Sequence, residues 1–415
     1  MISPSSFYFT LLLNEVAEIN RLKKCWMSIY ASKSEDIRKM SKGIDNVTLE
    51  DFKKDDDQNL KDIHTQIATG KFEFDEIKSI PKKKSNGKIR LISAPTVRDR
   101  VVHKSILSIL SDALYDHINT GVSYCGVKKD FWKKEKDGLS IKRAIEQLVT
   151  YVKRRNYWIF ETDIKGFFDH VPKEKILKKV CEVLPDRSLE KYLKQIIFFD
   201  IGNESELLKK EIEIPNKING LAQGSSLSPL FANLFLAEFD NYMKSKYGFR
   251  YIRYVDDFIV VCESEEEAKE AELDSTTELK KENLELSKDK THILDLNRSS
   301  LKFLGVHVDK FCIKPKKTTG KIRDWLVSEV LNTKSYKVVL RAGKEVSVIE
   351  QINEKIQGWG NFYRYYHAQE LFESLDEFIL KRKKGDKNLK DILLLKEVKL
   401  ETIVSQEEWQ SYFKE

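Results

Sequence analysis

The sequence predicts an α+β fold in which an antiparallel sheet is backed by helices. Three observations predict it. Both ends of the chain show the apolar spacing of helices, and runs of aromatic and β-branched residues at 158–163 and 250–262 predict strands between them. The second run is interrupted by Asp256 and Asp257, which is typical of a β-hairpin with acids at its tip. The length of 415 residues allows two or three domains and a large core.

The composition indicates a globular protein that works in a reducing compartment. Hydrophobic residues make up 41% and charged residues 33% of the chain, with a net charge of +7. Five cysteines are scattered without a C-x-x-C pair, which argues against a zinc site or a disulfide framework. The apolar residues 7–13 are too few to cross a bilayer and have no basic leader. We therefore expect a cytoplasmic protein without a membrane partner.

The first 70 residues are predicted to be helical, and Thr48 is predicted to cap one of these helices. A hairpin follows, because Asn86-Gly87 is the strongest short turn signal and lies between two strand-like runs. These runs carry five cations: Lys82, Lys83, Lys84, Lys88 and Arg90. A cationic ribbon suits a triphosphate or a nucleic-acid backbone. Lysines that protect an exposed strand edge explain the pattern equally well, and both interpretations stay open.

An apolar strand from Trp158 ends on Asp163, turns through Gly166 and leads into a helix near Pro172. We expect the Asp163 carboxylate to point at the same sheet edge as the Asp256-Asp257 turn. The alternative is that Asp163 only caps the following helix. Likewise, the alternative interpretation of Asp256 and Asp257 is that they are there only because Asp is one of the commonest turn residues.

A glycine-rich segment precedes a buried helix. Ser228 and Pro229 predict the start of that helix. Gly220 and Gly224 would let a substrate approach the backbone closely, or would simply make a flexible connector. Further on, residues 301–308 predict a strand with a tight turn. The helix predicted over 349–367 is rich in aromatic residues, which suit either nucleic-acid contact or a packed core.

Three carboxylates from two distant strands form a candidate site for hard divalent cations. Mg²⁺ prefers oxygen ligands and is commonly held by one or two carboxylates together with substrate phosphates. Two such ions, with Mn²⁺ able to replace Mg²⁺, suit phosphoryl transfer. Combined with the cationic ribbon and the glycine-rich turn, the pattern predicts nucleotidyl transfer, which is polymerase chemistry.

The order of these motifs resembles that of reverse transcriptases, most closely the bacterial branch related to group II intron enzymes. The resemblance runs from about residue 40 to about residue 370. The matching segments are 43–48, 81–95, 123–126, 163–168, 223–224 with 228–229, 254–257, 286–291, 303–305 and 358–363.

The resemblance implies a right-hand polymerase fold with fingers, an antiparallel palm and a helical thumb. The implied domains are a helical N-terminal extension over 1–70, fingers over 71–125, a palm over 126–312, and a helical thumb and tail over 313–415. Part of the fingers would return at about 180–225, inside the palm range.

The resemblance also assigns roles to individual residues. Asp163 and Asp256 resemble the two metal ligands, with Asp257 beside them and the Ile164 carbonyl toward the second ion. Lys290 is the candidate general acid for pyrophosphate, and Lys288 is its rival. The nucleotide-binding candidates are Lys82, Lys83, Lys88, Arg90, Phe168, Gln223 and Gly224. The segment Phe303, Leu304 and Gly305 resembles the primer grip.

The activity implied by the resemblance is RNA-templated synthesis of DNA from dNTPs. The Phe168 ring falls where the family keeps a steric gate against the ribose 2′-hydroxyl, so DNA is the expected product. Neither a Cys/His-rich endonuclease nor the retron signatures occur, which favours a stand-alone enzyme that copies a cognate noncoding RNA in phage defence. A maturase-like RNA-binding factor, a group II intron-derived mobility enzyme and an RNA-dependent RNA polymerase are the alternatives. Primer type and self-association stay open.

Overall fold

The computed structural model describes residues 11–33, 35–83, 87, 89–127, 131–132, 139–184, 186–215, 217–315, 324, 337–339, 345–385 and 391–414. Three residues named above, Lys84, Asn86 and Lys88, lie outside the described residues. The chain forms two compact units. The first unit comprises residues 1–134, 164–245 and 278–287, and the second comprises residues 135–163, 246–277 and 288–415.

Helices account for most of the described residues. In chain order the helices are α1 (Leu11–Ala17), α2 (Ile19–Ala31), α3 (Glu35–Met40), α4 (Leu49–Lys53), α5 (Asp56–Ala68), α6 (Val97–Ala113), α7 (Tyr115–Ile118), α8 (Leu139–Val152), α9 (Phe167–His170), α10 (Lys173–Val183), α11 (Glu190–Ile197), α12 (Glu204–Lys209), α13 (Ser228–Tyr247), α14 (Glu265–Lys280), α15 (Val348–Tyr363), α16 (Gln369–Gly385) and α17 (Gln406–Ser411). Short 3₁₀ turns occur at Gly248–Arg250 and Leu395–Glu397.

The strands are shorter. They are β1 (Lys78–Lys83), β2 (Ile89–Ala94), β3 (Trp158–Asp163), β4 (Tyr251–Tyr254), β5 (Asp257–Cys262), β6 (His292–Asp295), β7 (Leu301–Phe303), β8 (Val306–Val308), β9 (Ile313–Pro315), β10 (Lys337–Val339) and β11 (Glu345–Ser347). All strand ladders given by the structure are antiparallel. The predicted α+β class is therefore confirmed.

The first unit packs α1, α2, α5 and α6 around an apolar core that buries Val16, Leu22, Leu60 and Val101 completely or almost so. The expected cap on α4 is present. Thr48 Oγ1 accepts the backbone N–H of Asp51, and the Asp51 carboxylate accepts the backbone N–H of Thr48. This reciprocal pair satisfies two donors that the helix start would otherwise leave unpaired.

The cationic ribbon of β1 and β2 is anchored at its base. The side chain of Asn203 accepts the N–H of Ser79 at 2.8 Å and donates to the Ser79 carbonyl at 3.0 Å. The N–H of Ile77 donates to the carbonyl of Asp200 at 2.8 Å. Hydrogen bonds therefore hold the backbone at the start of the ribbon, and the cations of β1 and β2 belong to a hairpin that is anchored at its base.

The second unit contains a sheet in the order β4-β5-β3-β6. Its centre is completely buried at Ile159, Phe160, Ile259 and Val260. These consecutive pairs are buried on both faces of the sheet, since neighbouring residues of a strand point to opposite faces. The predicted strand from Trp158 and the hairpin of β4 and β5 are both confirmed.

Strands β7, β8 and β9 form another small sheet of the second unit. The turn between β7 and β8 consists of Leu304 and Gly305, whose φ angles are 48° and 83°. Positive φ at both positions is the pattern of a tight two-residue hairpin turn. The region from residue 313 onward, expected to be helical, also contains β9 and the pair β10–β11. The Val338-Val339 and Val346 positions in that pair favour strand, since β-branched residues suit a pleated backbone.

Within the described ranges no helix combines the length and apolarity needed to span a bilayer. All five cysteines are free thiols.

Candidate active site

Three carboxylates meet at one edge of the second unit's sheet. Asp163 is the last residue of β3, and its backbone lies directly opposite Asp257, the first residue of β5. Asp256 is in the turn that joins β4 to β5. Asp163 is buried, with 7% of its surface exposed. The antiparallel register thus brings together acids that are far apart in the chain, as the sequence predicted.

The pKa of Asp257 is raised in this cluster. Desolvation by the surrounding protein and the like charges of Asp256 and Asp163 raise the pKa of Asp257 to about 6. Part of the Asp257 side chain is still open to solvent at the turn surface. Clustered carboxylates with a raised pKa are typical of a site that receives a cation.

Lys290 supplies a positive charge to this cluster. Its Nζ donates to Oδ2 of Asp163 at 2.6 Å. Desolvation lowers the pKa of the Lys290 ammonium, but the hydrogen bond that it donates to Asp163 and the charges of Asp163, Asp257 and Asp256 outweigh this effect, so the net pKa is raised. The hydroxyls of Thr162 and Thr291 are 2.7 Å apart and tie β3 to the segment that carries Lys290. Between the two lysines considered above, the structure places Lys290 on the carboxylate.

The donor set fits Mg²⁺ in its chemistry, since ionised carboxylate oxygens are the ligands that hard divalent cations prefer. Lys290 already places one cationic group on Asp163. As the side chains stand, however, the described residues include no group of three His, Cys, Asp or Glu side chains arranged to hold an ion. Coordination of an ion by these carboxylates stays a prediction.

The Ile164 carbonyl, assigned above to the second ion, already accepts the N–H of Phe167 at 3.3 Å. A carbonyl oxygen has two lone pairs, so one remains for another partner. Ile164 itself is completely buried and forms a β-bridge with Leu286. Its role as a ligand stays a prediction.

A cavity of about 620 Å³ opens beside the carboxylates. It is lined by Glu161, Thr162, Asp163, Asp257, Asp289, Lys290, His292, Leu294, Ser299, Ser300, Lys302, Leu304 and Gly305. Leu304 and Gly305 belong to the predicted primer grip, whose third residue, Phe303, is buried. The hydroxyl of Tyr363 in α15 donates to the Gly305 carbonyl at 3.1 Å and holds this turn. The structure therefore places two of the three predicted primer-grip residues on the same cavity as Asp163 and Asp257.

The first unit holds the predicted nucleotide-binding residues Phe168 and Gln223. The Phe168 carbonyl accepts the N–H of Leu221 at 2.8 Å, and the Gln223 carbonyl accepts the N–H of Ser93 in β2 at 2.7 Å. Gln223 Nε2 donates to Oδ1 of Asp169 at 2.6 Å. Sequence reasoning missed Asp169, although an acid next to the proposed gate residue was a signal that could have found it.

Gly224 has a structural explanation that differs from the one expected. Its φ is +101°, and an added Cβ would approach Ile92 Cγ2 and the Ser93 carbonyl oxygen at 3.1 and 3.2 Å. The glycine is thus needed for a left-handed backbone packed closely on β2. Its contact with a nucleotide stays a prediction.

Three of the five ribbon cations, Lys82, Lys83 and Arg90, lie in the described part of β1 and β2. Lys82 is directly opposite Arg90, and Lys83 is opposite Ile89. Residues directly opposite each other share a face of the sheet, and like charges in that position are destabilising. An anion between Lys82 and Arg90 would offset that cost, and the contact of these cations with a triphosphate stays a prediction.

Comparisons with protein families support the motif series. The family model described as reverse transcriptase (RNA-dependent DNA polymerase) matches residues 80–308, more than half of the chain. The model described as group II intron, maturase-specific domain matches residues 321–383.

Curated proteins with similar sequences include the COX1/OXI3 intron 2 protein of Saccharomyces cerevisiae, which is 25% identical over 57% of this chain and 25% of its own length. Protein YkfC of Escherichia coli is 26% identical over 45% of this chain and 46% of its own length. The group II intron-encoded protein LtrA of Lactococcus lactis is 23% identical over 49% of this chain and 31% of its own length. The chain thus spans a quarter to a half of these relatives.

Solved structures that the chain matches include apo telomerase from Candida tropicalis, at 12% identity and a TM-score of 0.42, covering 80% of this chain and 64% of that one. A partial Cas6-RT-Cas1–Cas2 complex has 21% identity and a TM-score of 0.36, covering 65% of this chain and 42% of that one.

Proposed function

Because the chain belongs to the reverse transcriptase family, we propose that it extends a primer terminus with dNTPs on an RNA template by two-metal phosphoryl transfer. The observation that carries the proposal is the register that sets Asp163 opposite Asp257, with Asp256 in the adjoining turn. Carboxylates can share divalent ions only if they lie close together, and this register brings them close.

In the proposed mechanism, Asp163, Asp256, Asp257 and the Ile164 carbonyl would hold two Mg²⁺ ions. When bound, the ions would activate the primer hydroxyl and neutralise the charge that develops on pyrophosphate. Lys290 would hold a proton at Nζ for the leaving pyrophosphate, and its raised pKa keeps it charged at neutral pH. The turn at Leu304 and Gly305 would orient the primer end beside the carboxylates.

The residues of the first unit would bind and select the nucleotide. Lys82, Lys83, Lys88 and Arg90 would contact the triphosphate. Phe168 would exclude a ribose 2′-hydroxyl, and Gln223, held by Asp169, would line the pocket. The Leu221 N–H donates to the Phe168 carbonyl, which holds the backbone that carries the ring.

Primer extension tests the proposal directly. The purified full chain, with Mg²⁺, dNTPs and a primed RNA, is expected to make DNA. Asp256→Ala should abolish synthesis while RNA binding is retained, because the change removes a ligand and no positive charge. Glu270→Ala, on an exposed face of α14, is the matched control that removes one acid elsewhere in the second unit. Failure of the unchanged chain on every RNA offered, including RNA that copurifies with it, would refute the proposal.

The match of residues 321–383 to the maturase-specific domain favours a second candidate, an RNA-binding splicing factor. In that case Asp163→Ala and Asp256→Ala would leave the cellular function unchanged. Loss of function in both variants would instead assign the activity to polymerisation. A group II intron-derived mobility enzyme would lose its function in the same variants, and mapping of new DNA insertions distinguishes it.

The choice of DNA over RNA rests on Phe168. Phe168→Ala is expected to increase incorporation of rNTPs, since the ring that would meet the 2′-hydroxyl is removed. An unchanged preference for dNTPs would place the gate elsewhere, and a wild-type chain that prefers rNTPs would make it an RNA-dependent RNA polymerase.

The template proposed is a dedicated noncoding RNA, and the proposed physiological role is phage defence. Both extend the resemblance of the motif series to the bacterial branch of reverse transcriptases. Sequencing of nucleic acids that copurify with the chain should reveal one recurrent RNA with complementary DNA, and a random sample of cellular RNA would contradict it. Phage plating on cells carrying the Asp256→Ala variant should show loss of protection.

A further inference from the structure

The turn that carries Asp256 and Asp257 contains an unusual backbone conformation. Val255, between Tyr254 and Asp256, has a φ of 64°. A β-branched residue at positive φ is a genuine outlier, because its Cβ and γ-methyl groups crowd the backbone. Such a conformation persists only where the surrounding structure holds it.

Arg253 lies directly under this turn. It is in β4 and has no exposed surface, which is unusual for an arginine. Its Nη1 donates to the Val255 carbonyl at 2.8 Å. A buried guanidinium is costly unless its N–H groups are used, so this contact and the others that Arg253 makes are required by its position.

The pleat of the sheet places Arg253 away from the reacting groups. Arg253 is opposite Phe258, and Tyr254 is opposite Asp257. Adjacent residues of a strand point to opposite faces, so Arg253 shares the buried Phe258 face, and the Asp257 side chain is on the other. Arg253 is also absent from the lining of the cavity beside the carboxylates. It therefore acts on the site through the backbone of the turn.

We propose that Arg253 is a positioning residue whose buried guanidinium holds the Val255 carbonyl, and with it the left-handed turn that presents Asp256 and Asp257 opposite Asp163. The kinetic part of this inference rests on the proposed polymerase function, whereas the structural part does not.

A pair of substitutions separates this role from simple support of the core. Arg253→Met keeps much of the apolar volume but removes the donor, and Arg253→Lys keeps the charge but replaces the planar fork by a single ammonium. Val255→Gly removes the steric cost of positive φ, since glycine adopts that region readily. If Arg253 works by holding the strained turn, a turn that is no longer strained should need Arg253 less.

The first measurement is hydrogen exchange of the backbone amides at residues 254–258, which needs no activity. Arg253→Met is expected to speed exchange there by about tenfold or more, while exchange in the buried strand β3 changes little. Adding Val255→Gly should slow the turn amides again. This outcome supports the inference even if the wild-type chain makes no DNA, and exchange that rises equally in β3 would overturn it.

The second measurement is steady-state polymerisation. Arg253→Met should lower kcat by about 10- to 100-fold with the KM for dNTP changed less than about threefold, because the acids and not the nucleotide site are displaced. The double variant Arg253→Met, Val255→Gly should have a kcat at least about fivefold higher than that of Arg253→Met alone.

Arg253→Lys gives the same comparison if Arg253→Met does not fold. If Val255→Gly restores kcat in neither the Arg253→Met nor the Arg253→Lys variant, Arg253 is only a core residue and the inference is overturned. The same conclusion follows if neither double variant folds.

Discussion

The sheet of the second unit brings carboxylates together, and the ribbon of the first unit brings cations together. The two regions differ in what lies near these like charges. In the sheet, the buried Asp163 receives the Lys290 ammonium at 2.6 Å. In the ribbon, Lys82 faces Arg90, and among the described residues the structure gives neither of them an ion-pair partner. In the sheet, a protein cation therefore compensates the buried acid, whereas solvent compensates the exposed cations Lys82 and Arg90.

The two regions also differ in exposure. Asp163 is buried, whereas Lys82, Lys83 and Arg90 are exposed. Electrostatic interactions are strong where water is excluded and weak where solvent and salt screen them. Substitutions in the sheet should consequently have larger effects on catalysis than substitutions in the ribbon.

The largest effect is expected from Asp163→Asn, which keeps the shape of the side chain and removes its charge. We expect kcat for primer extension to fall by at least about 1,000-fold, since several kcal/mol of charge stabilisation is lost. Single-turnover extension at saturating dNTP measures it. Glu270→Gln loses the same charge on an exposed helix face and should behave as wild type. A decrease in kcat of less than tenfold for Asp163→Asn would show that Asp163 takes no direct part in catalysis.

A smaller effect is expected from the ribbon. Lys82→Ala and Arg90→Ala should each raise the KM for dNTP by about tenfold, with a smaller change in kcat, because each removes one screened contact to the triphosphate. The loss should diminish as salt concentration rises. Lys71→Ala, an exposed lysine before the ribbon, is the matched control. Equal effects of Lys71→Ala and Lys82→Ala would indicate general attraction to nucleic acid and not a triphosphate site.

Asp169→Ala should have a more modest effect, raising the KM for dNTP by about three- to tenfold, because Gln223 loses the acceptor that orients it. A double-mutant cycle with Gln223→Ala provides the check. If Asp169 acts through Gln223, the double variant should be no worse than Gln223→Ala alone. Additive losses would give Asp169 a separate role.

The smallest effect concerns stability and pH. The raised pKa of Asp257 means that the folded chain binds this proton more tightly than the unfolded chain, so the stability linked to Asp257 is present at low pH. That stability is lost as pH rises from about 4 through about 6.

Asp257→Asn removes this dependence. Without divalent metal, we expect it to raise Tm by about 1–2 °C at pH 8 and to leave Tm unchanged near pH 4, the small size reflecting partial exposure of the side chain. Thermal unfolding followed by circular dichroism measures it. A gain at both pH values would exclude the titration of Asp257 as the cause.

Much of the local structure could be predicted from the residues. The cap at Thr48, the strand that ends on Asp163 and the hairpin around Asp256 were all predicted, because capping residues, β-branched runs and acidic turns are local signals. The strands beyond residue 313 were missed, since short strands embedded in helical patterns carry little periodicity. Asp169 and Arg253 were also missed, because their importance lies in the partner that each contacts.

The sequence by itself determined the family, the order of the motifs and the kinds of residue that reach the candidate site, since these depend on side-chain chemistry along the chain. Only the tertiary structure decided that Asp163 faces Asp257, that Lys290 rather than Lys288 contacts Asp163, and that Gly224 serves close packing. The physical reason is that strand register and close packing are set by contacts between residues distant in sequence, and a slip of one residue would turn every side chain of a strand to the other face.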